Sequence, residues 1–99
     1  MIGYRFLSEA EEEMSEAAVF YEAASVSLGS DFLEDVQQVV NTLRSHPEFG
    51  VRVEVNLRRA LLHRFPFSLI YSVEADAILI VSIAHHRKRP GYWESRIDR

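Results

Sequence analysis

Ninety-nine residues leave room for one domain, and 47% hydrophobic with 26% charged residues is the balance of an ordinary globular chain. There is no cysteine, which excludes disulfide frameworks, thiolate nucleophiles and thiolate metal sites and fits a reducing compartment. The net charge of −4 conceals a division: two basic side chains face ten acidic ones in residues 1–50, and nine face five in residues 51–99, so the second half suits phosphate or an acidic partner.

Residues 2–7, β-branched and aromatic, read as an opening strand. Ser8 stands three residues before Glu11, the capping-box spacing, and Glu9, Glu11, Glu12 and Glu13 sit where a helix dipole favours negative charge. Met14, Ala17, Ala18, Tyr21 and Ala24 then mark one apolar helix face, with Phe20 and Tyr21 read as core aromatics. The helix ends near residues 25–29, where Gly29 offers a backbone conformation closed to other residues. A second helix from about Ser30 carries the stripe Phe32, Val36, Val39, Val40 and Leu43, widened by Leu33, and stops at His46-Pro47. The two form an antiparallel helical hairpin.

From Val51 the period becomes two. Residues 57–65, 68–73 and 78–84 read as strands, with Pro66 at a turn or bulge and Glu74-Ala75-Asp76 at a hairpin. The last strand, apolar on both faces, reads as a central one covered by helices. Pro90 precedes a short terminal helix or turn. The expected fold is α+β in the order β-α-α-β-β-β over residues 1–99: a twisted, mostly antiparallel sheet with the hairpin packed on one side. No signal segment opens the chain, and the longest apolar stretch, 77–84, is too short for a bilayer. A cytoplasmic protein without membrane contact is expected.

The chemistry concentrates in the second half. Arg58, Arg59, His63 and Arg64 lie on one strand, His85, His86, Arg87, Lys88 and Arg89 follow the last strand, and Tyr92 and Trp93 come next. Arginines supply bidentate donors for phosphate, and Tyr or Trp can stack on an unpaired base. This composition suits an RNA or nucleoprotein site, or equally a solvated strand end with Trp93 closing the core. His85 can serve as an acid or base near neutrality. Adjacent His85 and His86 point to opposite sides of a strand and cannot chelate one ion, so no metal is expected. There is no Gly-x-Ser-x-Gly, no glycine-rich phosphate loop and no recognisable carboxylate pair for glycoside hydrolysis, so no cofactor is expected either.

Taken in order, Phe20-Tyr21-Glu22, Leu28-Gly29, Phe32-Leu33, Arg58-Arg59, Arg64-Phe65-Pro66-Phe67, Ile70-Tyr71, residues 78–83, His85, Arg87, Arg89-Pro90, Tyr92-Trp93 and Arg96 resemble the RelE/ParE toxin family over nearly the whole chain. The resemblance implies the toxin of a type II toxin–antitoxin system, neutralised by a cognate protein antitoxin in a heterotetramer or higher complex. It implies one of two targets. RelE-like members are endoribonucleases that cleave mRNA at the ribosome; ParE-like members inhibit DNA gyrase and are not enzymes. For a nuclease, Arg58, Arg64 and Arg87 would stabilise phosphate charge, with His85 or Tyr92 as acid or base. Arg59, Lys88, Arg89 and Trp93 would bind the target. A single lysine and an acidic net charge depart from the basic RelE-like composition and favour gyrase. A non-toxic protein that keeps only the fold and antitoxin binding is the third alternative.

Overall fold

The structure, a computed structural model, describes residues 1–97. The last two residues of the expected 1–99 domain lie outside the described residues. In chain order come β1 (Gly3–Phe6), α1 (Ser8–Ala24), α2 (Leu28–Ser45), β2 (Val51–Glu54), β3 (Leu57–Leu61), β4 (Phe67–Val73), β5 (Ala77–His85) and a 3₁₀ turn (Glu94–Arg96). The five strands form one sheet in the order β1-β5-β4-β3-β2, parallel only between β1 and β5. The expected α+β fold is present, with one strand more than the sequence pattern suggests. The extra strand is β2, ahead of the expected strand at residues 57–65: the chain folds back at Val55-Asn56 between β2 and β3, and β3 ends at Leu61 rather than Phe65.

Several local expectations are corrected. Ser8 does not cap α1: its hydroxyl bonds to Glu9, and Leu7 occupies the cap position. The Leu7 amide donates to the Ile80 carbonyl while the Leu7 carbonyl accepts from Glu11, so the chain passes directly from strand ladder into helix. Gly29 does not break the helix either. It lies in the first turn of α2, and the left-handed residue is Ser27, at φ 72°. A Cβ on Gly29 would stand 2.5 Å from the Ala18 carbonyl oxygen, so this glycine lets the hairpin helices approach closely. Glu22 completes the junction by accepting the Ser27 and Gly29 amides, which α2 itself cannot satisfy.

The stripe Phe32, Val36, Val39, Val40 and Leu43 is buried as expected, against Leu69, Tyr71, Ile78, Ile80 and Ile83 of the sheet. Leu33 points away from the core, and Phe20 is 68% exposed rather than internal. Tyr21 alone of that pair packs inward, against Phe32, Phe65 and Phe67. The second face of β5 is covered differently from the expectation. Leu57, Ile70, Leu79, Val81 and Ala84 are roofed not by a helix but by Trp93 and, in part, Tyr92, Leu7 and Val53.

A bulge shapes β5. Ile70 pairs with Ser82 but Tyr71 with Ile80, so Val81 has no partner on β4. β1 reaches only as far as Ile80, which leaves the following edge of β5 without a neighbouring strand. Those backbone groups need other partners, and the functional region is built where they find them.

Candidate functional site

The basic residues singled out from the sequence do not converge; the fold distributes them over three regions. Arg58, on β3, donates to the carbonyls of Glu48 (3.2 Å) and Gly50 (2.8 Å) and so braces the loop leaving α2. The same loop is held by the buried Tyr71 phenol, which accepts from the Gly50 amide and donates to the Pro47 carbonyl, both at 2.8 Å. Arg64 lies after β3, exposed, in a loose 3.6 Å ion pair with Asp31 of α2. Its amide and that of His63 are accepted by Asp35, which is 3% exposed and ties the loop after β3 to the middle of α2.

His85, Arg87, Lys88 and Tyr92 do come together. They line an open groove of about 540 Å³ between α1 and the end of β5, floored by Ala17, Phe67 and Ile83 and walled by Phe20 and Tyr21. His85 packs edge-on against Phe67, and its Nδ1 accepts the Arg87 amide at 3.0 Å, which places the proton of the neutral ring on Nε2. Lys88 lies over the Tyr92 ring, 5.3 Å from its centre. On the other side of the sheet, Arg59, His86 and Lys88 rim a smaller hollow of about 210 Å³, where His86 Nε2 and Ser68 Oγ are 3.0 Å apart. Arg89 is exposed in the turn beyond β5.

Tyr92 and Trp93 are the two expectations that the structure changes most. Trp93 is 8% exposed and closes the second core; its indole N–H has no hydrogen-bond partner among the described residues. It offers no free face for stacking. The Tyr92 hydroxyl donates to Glu13 Oε2 at 2.7 Å. Glu13, on α1, also accepts from Ser82 Oγ (2.9 Å), the Ile83 amide (3.1 Å) and both terminal nitrogens of Arg96 (2.9 and 3.1 Å). Arg96 in turn donates to the Val81 carbonyl, the group left over by the bulge, at 3.0 Å. One helix carboxylate thus caps the open edge of β5 and fastens the C-terminal segment to it.

The electrostatics follow from this packing. Burial alone would push the Glu13 carboxyl up, but the bonds from Arg96, Tyr92, the Ile83 amide and Ser82 outweigh it and hold it below the usual carboxylate range. Burial, with the Glu13 acceptor, pushes the Tyr92 phenol up to about 12. A phenol so placed holds its proton for Glu13 at neutral pH and is a poor general base. Glu13, Asp35 and Arg96 were not among the residues the sequence marked as chemical. The acids carry no signal of their own, because Glu13 stands in a run of helix glutamates and Asp35 among the polar residues of α2, and nothing local distinguishes either.

The hairpin and sheet that carry these residues also define what the chain resembles. The family model described as "ParE toxin of type II toxin-antitoxin system, parDE" matches residues 4–90. No curated protein matches the sequence. Among solved structures, a chain of the chromosomal ParDE TA system from P. aeruginosa superposes with a TM-score of 0.68 at 20% identity, over 86% of this chain and 96% of that one. That likeness shares the fold, and the family match spans both helices and all five strands, ending two residues before Tyr92. The chain belongs to the ParE toxin family of type II toxin–antitoxin systems.

Proposed function

We propose that this ParE-family toxin arrests growth by inhibiting DNA gyrase without cleaving nucleic acid, and that a cognate protein antitoxin neutralises it in the cytoplasm. The observation that carries the choice of mechanism is the dispersal of the nuclease candidates. Arg58 is engaged by backbone carbonyls and Arg64 by Asp31, both away from the groove, and of the candidates that line it, His85, Arg87 and Tyr92, the Tyr92 proton is committed to Glu13. Cleavage through a 2′-hydroxyl needs an acid, a base and phosphate-stabilising cations around one phosphate. The acidic net charge agrees, since ribosomal RNA binding rests largely on charge.

The antitoxin is assigned to the groove floored by Phe67 and Ile83, whose wall is formed by Phe20, an aromatic ring of α1 that is 68% exposed. Two assays test the reading. Purified protein should block supercoiling by gyrase and leave translated mRNA intact, and the double substitution Arg64→Ala with Arg87→Ala should retain mRNA-independent growth arrest. Ribosome-dependent cleavage lost in that double variant would instead establish the nuclease. Phe20→Asp should abolish antitoxin binding while the melting curve stays that of the parent.

A further inference from the structure

The outer edge of the sheet opposite β1 is unusual for a free edge. β2 has β3 on one side and, among the described residues, no strand on the other. Of the large hydrophobic side chains exposed on the described surface, three cluster within seven residues here: Phe49 at 63%, Val51 at 66% and Val55 at 79%. With Val53 they put an apolar residue at every second position from the loop before β2, through the strand, to the turn after it, with no proline between. That is the pattern of a strand prepared to pair, not of one blunted against pairing. Between the valines stand one base and one acid, Arg52 and Glu54. Both are exposed, and neither forms an ion pair among the described residues, although Arg5, Arg64 and Arg96 all do.

We propose that β2 is a self-association strand, pairing antiparallel with the β2 of a second copy about a two-fold axis at Val53. In that register Arg52 faces the partner subunit's Glu54, Glu54 faces the partner subunit's Arg52, and Val51 faces the partner's Val55. Both ion pairs follow from the order of the two charges, since residues equally spaced from the axis meet across an antiparallel pair. The bulge at Val53, where the β2–β3 register shifts, bends the edge, and the two charges repel strands with other patterns. A strand with the same charges in reversed direction is accepted, and β2 itself is that strand. The result is one continuous sheet through two subunits, with the groove between α1 and β5 on the far side of each and left open.

Charge reversal tests this without touching the core. The parent chain at about 100 µM, a concentration that populates even a weak dimer, should sediment at twice the 11.4 kDa chain mass. Arg52→Glu and Glu54→Arg should each weaken association at least about tenfold, because two attractions become two repulsions. Mixing the two variants should restore the dimer, since the acidic pair at positions 52 and 54 of one chain then meets the basic pair at positions 54 and 52 of the other. The double reversal in one chain should restore it as well. This complementation separates lost pairing from lost folding. A monomeric parent chain, single variants that remain dimeric, or a mixture that stays monomeric would each overturn the proposal.

Discussion

The two faces of the sheet are held by different physics. On one face the helical hairpin buries sixteen apolar residues with the sheet in a continuous core, rich in the mutually packed rings of Phe32, Phe65 and Phe67. On the other, six buried residues gather among the described residues, and their roof is a short C-terminal segment rather than a helix. That roof is fastened by one polar cluster, in which Glu13, Tyr92, Arg96 and Ser82 satisfy one another and the backbone of β5. Apolar area is additive and tolerant of small shifts, whereas a charged network depends on each member being present. The hairpin face therefore sets global stability, and the C-terminal face is the one that opens locally.

The comparison can be broken most forcefully at its strong side. Phe32→Ala, at a position with no exposure, should cost about 3–5 kcal/mol in denaturant unfolding and lower both faces together. Arg96→Ala should cost about 2–3 kcal/mol, somewhat below a fully buried pair because Arg96 and Glu13 retain 14% and 19% exposure. Its distinguishing sign is local: amide exchange should accelerate at residues 91–96 while α2 keeps its protection. A change spread evenly over α2 would mean that the two faces are not separable. Gly29→Ala should cost about 1–3 kcal/mol, since its Cβ meets backbone that cannot yield, and should slacken the hairpin without freeing the C-terminal segment.

The smallest effect is a pH dependence. Because the native Glu13 carboxyl titrates below its ordinary value of 4.5, its contribution is complete above that value and is lost as the pH falls through the lowered native one. Parent protein should lose stability across that acid window, and Glu13→Gln, already weakened at neutral pH, should lose less. Equal acid sensitivity in the two would assign the effect to another carboxylate.

Legibility in the sequence followed the range of the interactions. The α2 stripe and β5 were plain because period and run length are local properties of Phe32–Leu43 and of residues 78–84. The turn at Val55-Asn56 was hidden because its first residue is a β-branched strand former, so β2 was not separated as a strand of its own ahead of residues 57–65. Exposed Phe20 and Leu33 read as core because composition cannot tell a covered apolar face from one that waits for a partner. The site suffered most. Arg58, Arg64 and Tyr92 were grouped by chemical type, yet each is claimed by a group elsewhere in the chain: Gly50, Asp31 and Glu13. The separation between Glu13 and Tyr92 is 79 residues, and no spacing rule reaches so far.

The parallel ladder between β1 and β5 carries a consequence for the order of folding. Gly3 pairs with Ala77 and Phe6 with Ile80, so the first strand made must wait for the last before the sheet can close. Glu13 likewise waits for Arg96. A nascent chain still lacking its final fifth can form the helical hairpin, whose contacts are local, but has no strand on which to dock β1 and no latch. The hairpin can therefore precede the sheet, but neither the β1 ladder nor the Glu13 latch can form before residues 77–96 are made.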